Sequence, residues 1–135
     1  MHLTALSPML EVTDLQATID YYTGILGFTL QGTWPDEGPI QWASLTAGEV
    51  TLMFMTRVTP DETPEDTAEE TSEPKPPGLT GQLYCYPPDV DALWNELKEK
   101  VDIAWPLDNM TYGMREFAIR DCNGYLLTFG QDLSP

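Results

Sequence analysis

Basic residues are scarce in this chain of 135 residues, which has six Lys and Arg against 22 Asp and Glu and a formal net charge of -16. So much negative charge repels phosphate backbones and anionic lipid headgroups, which argues against binding to nucleic acids or membrane surfaces. If electrostatics steers a partner, that partner is cationic. The charge does not imply disorder, because 41% of the residues are hydrophobic and 10% are aromatic, which is enough for one core.

Cysteine, histidine and long apolar runs are also few. Cys85 and Cys122 are too few for a disulfide framework and lack metal-ligand spacing, so we interpret them as free thiols in a reducing compartment. The one histidine, His2, lies beside the N-terminus. No apolar run approaches the roughly 20 residues that span a bilayer, and the N-terminus does not resemble a signal peptide. We therefore expect a cytoplasmic protein.

Residues 58–78 differ in composition from the rest of the chain, with seven acids, one Lys and five of the 12 prolines. Prolines interrupt helices and sheets, the like charges repel one another, and no large apolar side chain anchors the segment. We interpret it as an extended acidic linker within a single domain of 135 residues. The linker joins two halves, module one at residues 1–57 and module two at residues 79–135.

The two modules carry the same pattern of predicted elements. In each, a strand ends before an aspartate suited to cap a helix, Asp14 or Asp89, and three strands follow the helix. These aspartates are 75 positions apart, and Gly48 and Gly124, which introduce similar strands, are 76 apart. The sequence therefore predicts an α+β fold of two βαβββ modules, in which a helix covers one face of each sheet and leaves the other face open.

The predicted bounds follow from apolar periodicity and turn residues. In module one the strands are predicted at residues 7–13, 28–34, 40–46 and 49–56, with a helix from Leu15 that ends before Gly27. In module two the strands are predicted at 82–86, 103–107, 114–121 and 125–130, with a helix from Val90 to Val101. The last two strands join through Asn123-Gly124, a strong hairpin signal.

Several motifs in these elements carry a family resemblance. Module one contains Val12-Thr13-Asp14-Leu15, Asp20-Tyr21-Tyr22 and Ile25-Leu26-Gly27-Phe28. Module two contains Tyr112-Gly113-Met114-Arg115-Glu116-Phe117-Ala118-Ile119-Arg120-Asp121, followed by Asn123-Gly124. The chain, apart from the linker, resembles the glyoxalase, bleomycin-resistance and extradiol-dioxygenase superfamily, most of all its bleomycin-resistance branch. The resemblance implies a homodimer with ligand clefts between modules, in some members from different subunits.

Enzymes of this superfamily hold a divalent metal on the first and last strands of each module. The resemblance maps those positions onto Ser7, Gln82, Thr128 and either Leu52 or Met53. Only Gln82 carries a usual donor, and one amide with two hydroxyls binds a divalent ion weakly. We therefore expect no metal and no other cofactor, and we identify no catalytic residue.

The open faces of the sheets supply the first candidate binding residues. Alternation along the strands places Glu11 of module one and Gln82, Tyr84 and Tyr86 of module two on those faces. Tyrosines with a few polar groups are typical of small-molecule pockets, although the same tyrosines also suit a dimer interface. Glu11 in a cleft would favour cation recognition, but a lone carboxylate makes a weak catalytic centre.

Five more candidates lie near predicted turns and in the bleomycin-resistance motif. Trp34 and Trp42 flank a Pro-containing turn and either stack on a flat or cationic ligand or take part in packing. Tyr112 is the best candidate for stacking, because the resemblance implies an aromatic ligand contact there. Arg115 and Glu116 are neighbours in a strand, so only one of them faces the cleft; a cross-strand ion pair is the alternative for both charges.

Four other residues have simpler interpretations. Trp94 and Trp105 are predicted to pack against apolar neighbours, since they share a helix and an edge strand with such residues. Asp121 and Asn123 are explained by the hairpin turn.

Together these features favour a metal-free protein that sequesters a small cationic or aromatic molecule in a cleft between modules. Two other functions remain open. One is a lyase, isomerase or dioxygenase with an atypical metal site around Gln82 and Glu11. The other is a structural or interaction protein without a pocket.

Overall fold

The computed structural model describes residues 1–56 and 77–134. Module one contains β1 (Met9–Val12), α1 (Leu15–Gly24), β2 (Thr29–Trp34), β3 (Trp42–Ala47) and β4 (Val50–Thr56). Module two contains β5 (Leu83–Cys85), α2 (Val90–Leu97), β6 (Asp102–Asn109), β7 (Met114–Arg120) and β8 (Leu126–Asp132). The predicted α+β fold of two βαβββ modules is confirmed. All but the last two residues of the predicted acidic linker lie outside the described residues, so the linker stays a prediction.

The two sheets have the same topology, with strand orders β1-β4-β3-β2 and β5-β8-β7-β6. In each module the first strand is parallel to the last, and the other neighbouring strands are antiparallel. The registers also correspond, because Met9 pairs with Met53 in one sheet and Tyr84 pairs with Thr128 in the other. The internal duplication therefore extends to the pairing of individual residues.

Both helices begin where the sequence predicts. The carboxylate of Asp14 accepts a hydrogen bond from the backbone N–H of Ala17 at 3.0 Å, and Asp89 accepts one from Ala92 at 3.1 Å. These bonds satisfy backbone donors that have no partner within the helix. α1 ends two residues and α2 ends four residues before the predicted end, because local turn bonds replace the last helical turn.

Two strands of module two extend beyond their predicted ends. β6 runs to Asn109 and β8 runs to Asp132, so Asp108 and Asp132 join the sheet. β6 is an edge strand and contains Pro106. Proline is tolerated there because it has no backbone N–H to pair with a neighbouring strand. The pairing of β6 with β7 is irregular on both sides of Trp105.

The hydrophobic core lies between each sheet and its helix. Its largest fully buried apolar side chains come from both modules: Val12, Tyr22, Leu45, Phe54, Val90, Leu97, Phe117, Ile119 and Leu127. All of them belong to one continuous cluster, and Trp94 packs edge-on against Phe117 with ring centroids 5.1 Å apart. Burial of these apolar surfaces is the main stabilising contribution to the fold.

Polar contacts also join the modules. The Tyr22 hydroxyl donates to the Asp121 carboxylate at 2.6 Å, and the Asn123 amide donates to the Thr18 hydroxyl at 3.1 Å. The Tyr125 hydroxyl donates to the backbone carbonyl of Glu11. The β7–β8 hairpin turn is therefore attached to α1 and β1. Within the described ranges, no helix is long and apolar enough to cross a membrane.

Candidate functional site

The open face of the second sheet, opposite α2, carries the candidate site. Residues paired across neighbouring strands share a face of a sheet. Tyr84, Thr128 and Ala118 therefore form one row of side chains, and Gly130 and Glu116 form the next. Trp105 continues the first row, because it pairs with Ala118. The face combines aromatic side chains, small residues and one carboxylate.

Glu116 lies at the centre of this face and is only 2% exposed. Its Oε1 accepts a hydrogen bond from the Tyr84 hydroxyl at 2.7 Å, and its Oε2 accepts one from the Trp105 indole at 3.1 Å. Both oxygens thus act as acceptors. No Lys or Arg of the described residues forms an ion pair with Glu116. Uncharged donors therefore hold this buried carboxyl group in place.

Tyr84 reaches Glu116 by lying across Gly130. A Cβ atom on Gly130 would lie 2.3 Å from the Tyr84 hydroxyl oxygen and less than 3 Å from two ring carbons, so only glycine leaves room for the ring. Burial raises the pKa of Tyr84, and the hydrogen bond and charge of Glu116 raise it further. The hydroxyl consequently stays protonated and continues to donate to the carboxylate.

Two recesses open on this face, and Tyr112 lines both of them. The tyrosine recess has a volume of about 480 Å³ and is lined by Tyr84, Tyr86, Tyr112, Met114 and Asp132. The Trp105 recess has a volume of about 350 Å³ and is lined by Trp105, Pro106, Asp108, Met110, Tyr112 and Glu116. Both volumes fall within the range of small-molecule sites. Each recess therefore combines aromatic and methionine surface with a carboxylate.

Two aromatic side chains of the recesses present most of their surface to solvent. Tyr86 is 75% exposed and Tyr112 is 63% exposed. The rings of Tyr84 and Tyr86 have centroids 5.2 Å apart and planes inclined by 49°. A side-chain hydrogen bond with Glu116 raises the pKa of Tyr112. At the edge of the tyrosine recess, hydrogen bonds from Ser134 lower the pKa of Asp132 and favour its charged form.

Four of the residues identified from the sequence come together at the recesses, namely Tyr84, Tyr86, Tyr112 and Glu116. Gln82 lies next to β5, and its amide oxygen accepts a hydrogen bond from the Thr128 hydroxyl on the adjacent strand β8. It lines neither recess.

Three other candidates belong to the first sheet. Glu11 and Trp42 lie in one row with Met55, and Trp34 pairs with Trp42 in the next strand. This row lies opposite α1, because the alternate residues Leu10 and Val12 are buried in the core. Trp34 is 58% exposed. These residues therefore line the open face of module one and lie outside both recesses.

Arg115 and Glu116 point to opposite faces of β7, as alternation predicts. The Arg115 guanidinium donates to the Asp91 carboxylate in the first turn of α2 at 2.9 Å and to the Asn109 side chain at 2.8 Å. Arg115 thus connects the sheet to its helix, while Glu116 faces the recesses. The ion pair that Arg115 makes is with the helix and not across the strands.

The sequence did not identify six residues that line the recesses, namely Trp105, Pro106, Asp108, Met110, Met114 and Asp132. Trp105 was expected only to pack, but its indole also holds Glu116. Its contribution depends on the irregular pairing of β6 with β7, which no local pattern encodes. Asp132 continues the alternation of Thr128 and Gly130, so a longer predicted β8 would have placed it on this face.

The superfamily's metal positions do not match a metal site in this chain. The Gln82 oxygen is engaged by Thr128, and Leu52 is buried in the core. Met53 supplies only a thioether, which is a poor ligand for hard divalent ions. In the described part of the chain, no group of three or more His, Cys, Asp or Glu could hold a metal ion. The donor set therefore does not fit a divalent ion.

Comparisons with known proteins agree with this fold. The model of the "Glyoxalase/Bleomycin resistance protein/Dioxygenase superfamily" matches residues 2–129. TioX from Micromonospora sp. ML1 has a similar structure, with a TM-score of 0.75 and 24% identity over 96% of this chain and 99% of that chain. A search of curated proteins found no match.

Two further solved structures are those of a binding protein and of an enzyme. The bleomycin-binding protein from Streptomyces verticillus, complexed with copper(II)-bleomycin, has a TM-score of 0.64 and 21% identity over 96% of both chains. A lactoylglutathione lyase from Agrobacterium tumefaciens has a TM-score of 0.63 and 19% identity over 95% of this chain and 92% of that chain. At these identities the likeness concerns the fold alone. By its family match and its paired βαβββ modules, the chain belongs to the glyoxalase, bleomycin-resistance and dioxygenase superfamily.

Proposed function

We propose that this protein binds a small cationic or aromatic molecule on the open face of its second sheet and sequesters it without chemical change. The observation that carries the proposal is the pair of recesses that share Tyr112. Their aromatic and methionine side chains suit the burial of flat groups, and their carboxylates attract cations. Glu116 is held in position by the Tyr84 hydroxyl and the Trp105 indole, so its carboxylate has a fixed place on this face.

The fold comparisons are consistent with such a role. A bleomycin-binding protein of similar fold has been crystallised with copper(II)-bleomycin, which supports a binding role for this fold. The net charge of -16 favours a cationic ligand over an anionic one and disfavours nucleic acids and membrane surfaces as partners. A cytoplasmic location is part of the proposal, because the free cysteines Cys85 and Cys122 suit a reducing compartment.

The proposal includes a homodimer in which the open face of the first sheet completes the cleft. That face presents Met9 and Trp34, which are 49% and 58% exposed, beside Glu11 and Trp42. Burial of these apolar side chains against the recesses of a second copy would favour association. Glu11, Trp34 and Trp42 would then join the ligand site from the partner subunit. Sedimentation velocity measures the mass directly, and a monomer at all concentrations would contradict the dimer.

Fluorescence titration tests the binding role. We expect bleomycin or the planar cation proflavine to quench protein fluorescence in a saturable manner. Tyr112→Ala should weaken that binding about three- to tenfold, because one stacking contact is lost. Arg115→Ala is the matched control, since Arg115 lies on the opposite face of β7, and it should leave the affinity within about twofold. No saturable response, or a response insensitive to Tyr112→Ala, would overturn the proposal.

Native mass spectrometry separates this role from a metal-dependent reaction. We expect the purified protein to show the mass of the chain without a stoichiometric metal, because the donor set fits none. One divalent ion per subunit, lost in Gln82→Ala, would replace the proposal with the atypical enzyme.

A further inference from the structure

We infer that the tyrosine recess is a cage for an alkylated ammonium group, that is, a tertiary or quaternary amine carried by the bound molecule. The inference rests on the proposed function and specifies which chemical group the ligand places against Tyr84, Tyr86 and Tyr112. It distinguishes that group from a flat ring, a primary amine and a guanidinium.

The shape of the recess favours a rounded group over a flat one. Two parallel rings would form a slot for a planar heterocycle, but the ring planes of Tyr84 and Tyr86 are inclined by 49°. Tyr112 adds a third aromatic wall, and Met114 adds a thioether side chain. Inclined aromatic walls make a corner that can contact a tetrahedral group on several sides. Tetrahedral alkylated ammonium ions bind in aromatic cages of this kind through cation–π attraction.

The acceptors available in the recess point to an alkylated cation. Asp132 is the one carboxylate among the lining side chains, and the others offer aromatic rings, tyrosine hydroxyls and the Met114 thioether. A primary ammonium carries three donors and a guanidinium five, and each donor removed from water needs a new acceptor. An alkylated ammonium has at most one N–H and loses little on entering an aromatic recess. The small number of strong acceptors therefore disfavours cations that carry several N–H donors.

The charges around the recess favour a cation over a neutral group of the same shape. The Glu116 carboxylate accepts the hydrogen bond of the Tyr84 hydroxyl at 2.7 Å, so an acidic group lies directly behind this ring. Asp132 lines the recess and is held in its charged form by Ser134. The attraction of a cation to an electron-rich aromatic face is electrostatic and is strengthened where water is partly excluded.

A matched set of probes tests the inference on the intact protein. Choline carries a quaternary ammonium, ethanolamine is its unmethylated analogue, and 3,3-dimethylbutan-1-ol is its neutral analogue of the same shape. NMR of tyrosine-labelled protein follows the ring resonances during each titration. We expect choline to bind at least about tenfold more tightly than either analogue.

Substitutions of the exposed residue Tyr86 test whether choline binds in the tyrosine recess, and they leave the protein folded. Tyr86 is 75% exposed, so neither Tyr86→Phe nor Tyr86→Leu should unfold the protein. We expect Tyr86→Phe to retain choline binding within about threefold and Tyr86→Leu to weaken it about tenfold, because the aromatic face is the contacting surface. Asp132→Asn should weaken choline but leave 3,3-dimethylbutan-1-ol unchanged.

The possible failures are distinguishable. Equal affinities for choline and its neutral analogue, or no binding of choline, would overturn the cage. If bleomycin or proflavine still binds in a manner that depends on Tyr112, the proposed function stands and only the cage is lost. If no probe of any kind binds, both proposals fail.

Discussion

At the scale of single residues, Asp121 performs two tasks with one carboxylate. Its Oδ1 accepts hydrogen bonds from the backbone N–H groups of Asn123 and Tyr125, both at 2.8 Å, which is the turn role that the sequence predicts. Its Oδ2 accepts the Tyr22 hydroxyl, which comes from 99 positions earlier in the chain. The second bond depends on how the modules pack and has no local sequence signal.

The neighbouring tyrosines of α1 make a matched pair for testing that bond. Tyr22→Phe removes the donor to Asp121 and should lower the free energy of unfolding by about 1–3 kcal/mol, because a buried carboxylate oxygen loses its partner. Tyr21→Phe should be neutral or slightly stabilising, since the buried Tyr21 hydroxyl has no hydrogen-bond partner among the described residues. Urea denaturation followed by fluorescence measures both. A larger loss in Tyr21→Phe than in Tyr22→Phe would contradict these contacts.

At the scale of secondary structure elements, the binding face depends on how closely β5 approaches β8. Alternation in the sequence places Tyr84 and Tyr86 on one face of β5 and separates Glu116 from Arg115 in β7. It cannot show that the Tyr84 ring crosses the backbone at Gly130, because that contact follows from the parallel register of two strands about 45 positions apart. β5 carries the Tyr84 ring, and Gly130 of β8 leaves the space that the ring occupies.

Substitutions of two strand glycines distinguish the close approach of Tyr84 to Gly130 from the general effect of replacing a glycine in a strand. Gly130→Ala should lower the free energy of unfolding by about 1–3 kcal/mol, because the new Cβ displaces Tyr84. It should also weaken choline binding, since Tyr84 lines the tyrosine recess. Gly32→Ala in β2 is the control, with no heavy atom within 4 Å of its Cβ, and should change stability by no more than about 0.5 kcal/mol. Equal effects of the two substitutions would refute a close approach at Gly130.

At the scale of the whole molecule, the two modules share one core but differ in their open faces. The core-facing positions of both sheets are filled by equivalent apolar residues. On the open faces, Met9 and Glu11 of module one correspond by their 75-residue offset to Tyr84 and Tyr86 of module two. The duplication therefore preserves the residues that hold the fold, while the faces available to ligands have diverged.

Alkaline pH should destabilise the whole molecule through its buried tyrosines. Burial, followed by the charge of Asp121, raises the pKa of Tyr21 from its ordinary value of 10.0 to about 12, and burial with Asp121 raises that of Tyr22 further. The pKa of Tyr84 is also raised, mainly by burial. The unfolded chain therefore loses these protons near pH 10 while the folded protein retains them. Ionisation of these tyrosines should therefore not change the free energy of unfolding below pH 10. Above pH 10 the free energy of unfolding should fall as the pH rises.

Two measurements check this expectation. Urea denaturation at pH 8, 9, 10 and 11 should give a decreasing free energy of unfolding only over the last steps. Absorbance at 295 nm should show fewer than the six tyrosines ionised at pH 11 while circular dichroism still reports the native fold. Ionisation of all six near pH 10 in the native protein would contradict the burial of Tyr21, Tyr22 and Tyr84.

The amino-acid sequence alone established the duplicated βαβββ order, the helix starts at Asp14 and Asp89 and the faces of the strands. These features depend on local capping and on the two-residue period of a strand, which are written in consecutive residues. The tertiary structure alone brought Trp105 and Tyr84 onto Glu116 and separated these residues from Trp34 and Trp42. Strand register, irregular pairing and the position of the β6–β7 loop decide those contacts, because each depends on residues that are distant along the chain.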